Sequence, residues 1–126
     1  MRWLELLIWP GLEYRIPALH AAVAVARADP PRVVEGDLTT DLEALAAEAP
    51  RDATLVIFHT AVLYYVAPAG RATFRETVER LEATWIACEA PDVLGLAPGP
   101  PDMLALARDG RRVAWADGHG ALLSWG

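Results

Sequence analysis

The most restrictive feature of this sequence is a largely apolar run without alternation in the middle of the chain, from Ala53 to Phe58. A strand with one solvated face alternates apolar and polar residues, whereas a parallel strand that is covered on both faces does not. The run therefore predicts a buried parallel strand. Parallel strands need a crossover connection, and the helical pattern over residues 68–81 supplies one before a second short strand at residues 84–88.

The residues on either side of this βαβ pattern complete the prediction. Residues 2–9 and 16–28 have helical spacing, residues 32–37 predict a short parallel strand with a glycine turn, and residues 40–43 form a capping-box pattern that begins a helix through Ala47. The tail predicts strands at residues 103–107, 113–116 and 122–125, separated by Asp109-Gly110 and Asp117-Gly118-His119-Gly120.

The element order predicts a single α/β domain over residues 1–126. We expect a partial doubly wound, Rossmann-like sheet in which three parallel strands with helices are followed by a C-terminal antiparallel meander. Such folds bind ligands beyond the carboxyl ends of their parallel strands, so functional residues are expected at that edge.

Composition narrows the classes of partner. The formal net charge is -6 and the basic residues do not cluster, which argues against nucleic acid and against an anionic membrane surface as partners. The single cysteine, Cys88, excludes an intramolecular disulfide. The apolar run from Thr54 to Ala67 is shorter than the roughly 20 residues of a membrane-spanning helix. We therefore expect a cytoplasmic protein.

Several short strings together carry a resemblance to a known family. They are R-W-L at residues 2–4, L-I-W-P at residues 7–10, R-V-V-E-G-D at residues 32–37, V-I-F-H-T-A-V-L at residues 56–63, A-W-A-D-G-H-G at residues 114–120 and the ending L-L-S-W-G. In this order they resemble the bacterial domain-of-unknown-function family 2332, over nearly the whole chain.

The resemblance implies a class I methyltransferase-like, Rossmann-like fold of which this chain is the C-terminal half. Family members are longer at the N-terminus, where the first strand and a glycine-containing turn would approach an S-adenosylmethionine-like ligand. No G-x-G-x-x-G follows a strand in this sequence, so S-adenosylmethionine is expected only if another chain supplies that half.

Three polar residues fall at the predicted strand ends: Asp37, His59 and Glu89. By resemblance, Asp37 is the cofactor-binding carboxylate near a nucleoside, and His59 and Glu89 are the catalytic residues near the substrate. Each has a structural alternative. Asp37 equally serves a turn, His59 could be a buried imidazole bonded to backbone or to Thr60, and Glu89 could be a solvated loop carboxylate.

The other reactive side chains have simpler interpretations. His20, His59 and His119 lack metal-ligand spacing, so no metal site is predicted, and His119 suits the tip of a hairpin. Cys88 lies in an apolar strand, where a thiol behaves as a small hydrophobic group. Trp85 is expected in the core.

Two functions from different classes follow. In the first, the chain is inactive in isolation and self-associates, because Trp3 and Trp9 lie on a short apolar helix that needs cover. In the second, it is the substrate-side half of a methyltransferase-like enzyme that a complementary chain completes. Direct pairing of the strands at residues 32–36 and 53–58 favours the first, and an open gap between them favours the second.

Overall fold

The computed structural model describes residues 2–126, which fall into two compact units divided between Glu35 and Gly36. The first unit contains α1 (Arg2–Leu6), a 3-10 turn (Glu13–Arg15) and α2 (Ile16–Ala28). Pro17 occupies the first turn of α2, where its missing N–H costs nothing. The imidazole Nε2 of His20 lies 2.7 Å from Oε1 of Glu5, which joins α2 to α1.

The second unit contains the sheet. Its elements are α3 (Leu42–Ala46), β1 (Val56–Thr60), a 3-10 turn (Leu63–Tyr65), α4 (Pro68–Arg80), β2 (Thr84–Glu89), β3 (Met103–Arg108), β4 (Arg111–Asp117) and β5 (Leu123–Trp125). No helix among residues 2–126 combines the length and the apolar character needed to cross a membrane.

The five strands follow one another across the sheet in chain order, from β1 at one edge to β5 at the other. β1 and β2 are parallel, with His59 opposite Ala87, and every other pair is antiparallel. The predicted meander is confirmed. Asp109 and Gly110 turn the chain with φ angles of 50° and 74°, the left-handed conformation that tight hairpins require.

The expected third parallel strand is wrong, because residues 32–37 form no strand and leave β1 at the sheet edge. Pro30 and Pro31 lack the N–H groups that a strand ladder uses. Farther on, the Asp37 amide donates to Asp41 Oδ2 at 2.8 Å and the Thr39 amide to Asp37 Oδ1 at 2.7 Å. Local carboxylates therefore satisfy this backbone in a turn.

The bonds of the predicted capping box are also absent, although α3 begins where the pattern indicated. No side-chain bond caps the helix at Asp41, and the Thr40 hydroxyl donates to Asp41 instead. The Glu43 carboxylate lies 2.8 Å from Arg80 Nη2. An ion pair to α4 has replaced the reciprocal bond to the Thr40 amide.

The core lies between α4 and one face of the sheet. Phe74 and Val78 of α4 are buried against Trp85 of β2, which confirms the expectation that Trp85 fills the core. The strand positions beneath the helix are small, which lets α4 approach the sheet closely. The buried hydrophobic cluster comprises Leu63, Phe74, Val78, Trp85, Ala87, Val93, Leu94, Ala105 and Ala107.

The opposite face of the sheet, which we call the open face, is largely apolar, and its side chains are most exposed on the two edge strands. Side chains alternate between the two faces of a strand, and the register places Val56, Phe58, Ile86, Cys88, Leu104, Leu106, Leu123 and Trp125 together on this one. Phe58 is 77% exposed and Trp125 is 70% exposed. The prediction that β1 is buried on both faces is therefore wrong.

Gly99 offers a direct test of packing on the covered face. A Cβ atom built at Gly99 would lie 2.0 Å from Cη2 of Trp115, whereas one at Gly118 would meet nothing within 4 Å. We expect Gly99→Ala to lower the free energy of unfolding by about 1–3 kcal/mol through overpacking. Gly118→Ala should stay within about 0.5 kcal/mol of the wild-type value. Urea unfolding measures both, and equal values for the two variants would contradict this packing.

Candidate functional site

Glu89, the last residue of β2, is a fully buried carboxylate at the carboxyl end of the parallel strands. Its Oε1 atom accepts three hydrogen bonds, from His59 Nδ1 at 2.8 Å and from the amides of Val62 and Leu63 at 2.7 and 3.0 Å. The alternative of a solvated loop carboxylate is therefore wrong. The structure does bring His59 and Glu89 together, as their positions at neighbouring strand ends suggested.

The second oxygen of Glu89, Oε2, is buried and has no hydrogen-bond partner among residues 2–126. Donors therefore converge on one side of the carboxylate only. A carboxylate that accepts backbone N–H groups forms charge-assisted bonds, which are shorter and stronger than neutral ones. These bonds offset much of the penalty for burying an acidic group.

His59 lies between Glu89 and Trp85. Its Nε2 atom is 2.9 Å from the indole Nε1 of Trp85, which can only donate, so Nε2 accepts and the ring hydrogen is on Nδ1. The ring also packs edge-on against Phe74, with centroids 5.4 Å apart. His59 is thus a buried, hydrogen-bonded imidazole, as the structural alternative proposed. Its partners are the side chains of Glu89 and Trp85, however, and neither the backbone nor Thr60. Both ring nitrogens are therefore hydrogen-bonded, and the catalytic role expected of His59 and Glu89 stays a prediction.

Arg71 of α4 holds the same turn from the other side. Its Nε atom donates to the carbonyls of Leu63 and Val66 at 2.9 and 2.8 Å, and its Nη2 donates to the carbonyl of Tyr64 at 3.2 Å. Residues 62–66, which we call the clamped turn, therefore have amides bonded to a carboxylate and carbonyls bonded to a guanidinium. These charges have the signs that stabilise the two ends of a helical turn.

The clamped turn presents two neighbouring tyrosines to solvent. Tyr64 is 65% exposed and Tyr65 is 83% exposed, and their rings meet edge to face with centroids 5.0 Å apart. Because the backbone that carries them is fixed by Glu89 and Arg71, these aromatic rings project from a rigid base.

A groove of about 370 Å³ runs between α4 and the loop that follows β2. Arg75 lies in it, with its guanidinium 5.7 Å from the centroid of the Trp85 ring and Nη2 donating to the Leu94 carbonyl at 2.6 Å. Two residues of its lining, Leu63 and Trp85, also bond to the Glu89–His59 network. The full lining is Leu63, Pro68, Arg71, Ala72, Arg75, Trp85, Asp92, Val93 and Gly95.

Asp37 lies in an exposed turn, and its hydrogen bonds stay within residues 37–41. The hydroxyl and the amide of Thr39 hold the pKa of the Asp37 carboxyl below its usual value. Among the described contacts, none links Asp37 to His59 or Glu89. The turn role is thus the one seen in this structure, and the cofactor-binding role stays a prediction.

The remaining candidates lie apart from this network. Cys88 points to the open face, and burial, followed by the charge of Glu89, raises the pKa of its thiol, which disfavours the reactive thiolate. His119 occupies the exposed turn between β4 and β5. Across residues 2–126, no three His, Cys, Asp or Glu side chains are grouped as a metal ion requires.

Sequence reasoning missed two participants, Trp85 and Arg71. A signal for Trp85 was present, because a buried indole N–H needs an acceptor and His59 lay on the neighbouring predicted strand. No comparable signal existed for Arg71. Its partners are backbone carbonyls, whose positions follow only from the three-dimensional path of the turn.

Residues 1–125 match the model of a family described as "Uncharacterized protein conserved in bacteria (DUF2332)". The chain belongs to this family, which confirms the resemblance found in its sequence strings. No curated protein and no solved structure matches it.

Glu89 provides the test of the network. Glu89→Ala leaves three donors beneath the clamped turn without an acceptor, so we expect the free energy of unfolding to fall by about 3–5 kcal/mol. Glu89→Gln keeps one acceptor oxygen, so we expect it to lower the free energy of unfolding by less, about 1–2 kcal/mol. Urea unfolding gives both values, with Glu76→Ala as the control, because Glu76 is an exposed acidic residue of α4. A Glu89→Ala value as small as that of the control would contradict the role of Glu89.

Proposed function

We propose that this member of the DUF2332 family is a non-catalytic association module that binds a second copy of itself through the open face of its sheet. The observation that carries this proposal is the exposure of large apolar side chains at both edges of that face, Phe58 on β1 and Trp125 on β5. Antiparallel sheets that face water carry polar residues on that side, whereas all five strands contribute apolar side chains to this face.

Burial of these side chains is favourable by roughly 1.5–3 kcal/mol for each large one. Contiguous apolar patches of this kind mark interaction surfaces in folded proteins. The face spans roughly 20 Å by 20 Å, from five strands about 4.8 Å apart and about six residues long. This size is near the lower limit for a specific dimer, so association should depend on protein concentration.

Charge favours a second copy as the occupant. A chain with a net charge of -6 repels its own copies unless the touching surfaces carry little negative charge. The open face contains no acidic strand residue, and its charged positions are Arg108 and Arg111 at one end. A two-fold axis through the face would stack two such sheets about 10 Å apart, each patch against itself.

The proposed absence of catalysis draws support from the network. A general base must reach its proton within hydrogen-bond distance. Trp85 and Glu89 occupy both nitrogens of His59, and the Glu89 carboxylate is fully buried. These two residues hold the turn, and a role in proton transfer would require them to release it.

Association is tested by introducing negative charge on the open face. Phe58→Glu and Trp125→Glu place acidic groups at the two edges of the proposed interface, where its most exposed side chains lie, so we expect a monomer at every concentration. The wild-type chain should shift from monomer to dimer as its concentration rises. Light scattering coupled to size-exclusion chromatography measures the mass. Val33→Glu is the control, because Val33 is also strongly exposed but lies outside the sheet. A wild-type monomer at high concentration would exclude self-association.

A second candidate function is the substrate-side half of an S-adenosylmethionine-dependent, methyltransferase-like enzyme. The observation that favours it is the outer edge of β1, which pairs with no strand among residues 2–126. A complementary chain that adds strands there would extend the parallel part into a Rossmann-like sheet. Asp37 would then approach the nucleoside, with His59 and Glu89 on the substrate side.

The two candidates predict different responses to S-adenosylmethionine and S-adenosylhomocysteine. If the first is right, neither ligand changes the melting temperature of the isolated chain. A ligand at about 100 times its Kd would stabilise the fold by roughly 2.7 kcal/mol, which a thermal-shift assay resolves. A saturable shift that Asp37→Ala abolishes and Asp52→Ala retains would favour the enzyme instead. Asp52 is a suitable control because it is an exposed aspartate of the same unit.

A further inference from the structure

We propose that the groove between α4 and residues 92–95 binds a small organic monocarboxylate with an apolar body. Two arginines, Arg71 and Arg75, line this groove, and both are only partly exposed. The proposal depends neither on association nor on a nucleoside cofactor, because every residue involved belongs to one chain and one compact unit.

The absence of acidic partners is the first observation. The protein has 17 acidic residues against 11 basic ones, yet neither Arg71 nor Arg75 forms an ion pair with any described residue. Arg80, on the same helix, pairs with Glu43. Desolvated charge normally finds an opposite charge, so two half-buried guanidinium groups in one groove indicate a site for an anion.

The second observation is that hydrogen bonds hold both guanidinium groups in place while some of their N–H donors remain unused. Nε and Nη2 of Arg71 donate hydrogen bonds to carbonyl oxygens of the clamped turn, and Nη2 of Arg75 donates to the Leu94 carbonyl. The hydrogen bonds of the described residues leave Nη1 of each arginine available. A planar carboxylate matches such fixed N–H donors, and little side-chain entropy remains to be lost on binding.

The walls define the rest of the ligand. Leu63, Pro68, Ala72 and Val93 are apolar, and Trp85 adds an aromatic surface. The volume of about 370 Å³ lies at the small end of the range for small-molecule sites. Asp92 also lines the groove and would repel a second negative charge. A single carboxylate on an apolar body therefore fits better than a phosphate dianion.

The test uses benzoate as the probe and benzamide as its uncharged counterpart, followed by ¹H–¹⁵N NMR of the full chain. We expect saturable shifts with benzoate at residues 63–75 and 92–95 and at the indole N–H of Trp85. Benzamide should give at least about tenfold weaker binding, because hydrogen bonds to charged groups contribute about 1.5–3 kcal/mol.

Variants assign the site. Arg75→Gln should raise the Kd for benzoate at least about tenfold, whereas Arg80→Gln should leave the Kd unchanged, since Arg80 lies outside the groove lining. If Arg75→Gln fails to fold, the comparison of benzoate with benzamide binding to the wild-type protein tests the proposal by itself. Equal binding of the two probes, no binding of either, or shifts outside the groove would overturn the proposal. Saturation of the same residues by inorganic phosphate, without a response to benzoate, would overturn it as well.

Discussion

One buried oxygen atom, Oε1 of Glu89, determines how the chain leaves β1. It accepts the amides of Val62 and Leu63 and the Nδ1 hydrogen of His59, so the end of one parallel strand is bonded to the end of the other. Arg71 then fixes the carbonyls of the same turn and joins it to α4. The exposed tyrosines, the position of Trp85 and one wall of the groove all depend on this arrangement, because each is attached to the turn or to its partners.

The fold was largely predictable where local sequence signals agreed with one another. The Asp-Gly turn placed the β3–β4 hairpin, and the crossover helix α4 separated two apolar strands as parallel neighbours require. The prediction failed at residues 32–37, where the two preceding prolines, Pro30 and Pro31, and an aspartate turn outweighed the strand pattern. It also failed at β1, since the run from Ala53 to Phe58 is equally compatible with a covered face and with an exposed one. Which face of a strand is buried depends on the tertiary packing of elements that are distant in the sequence.

The candidate site was predictable in position and only partly in character. The rule that ligands gather at the carboxyl ends of parallel strands selected His59 and Glu89, whose side chains do meet at 2.8 Å. Their partners required three-dimensional knowledge. A solvated loop carboxylate was the alternative for Glu89, but its strand register points the side chain under the turn and opposite Ala105. Backbone amides, which have no sequence signature, then decide what the carboxylate does.

The chain Trp85–His59–Glu89 has a consequence for how sequences of this family can diverge. Replacing one member leaves a buried donor or acceptor without a partner, whereas replacing both partners of a bond by apolar groups of similar shape is nearly neutral. The three positions are therefore coupled, and a viable evolutionary path must change them together or pass through a less stable intermediate. The Glu89 bonds to the amides of Val62 and Leu63 extend that constraint to the shape of the turn itself. No substitution at the turn other than proline can relieve it, because every other residue keeps its backbone N–H.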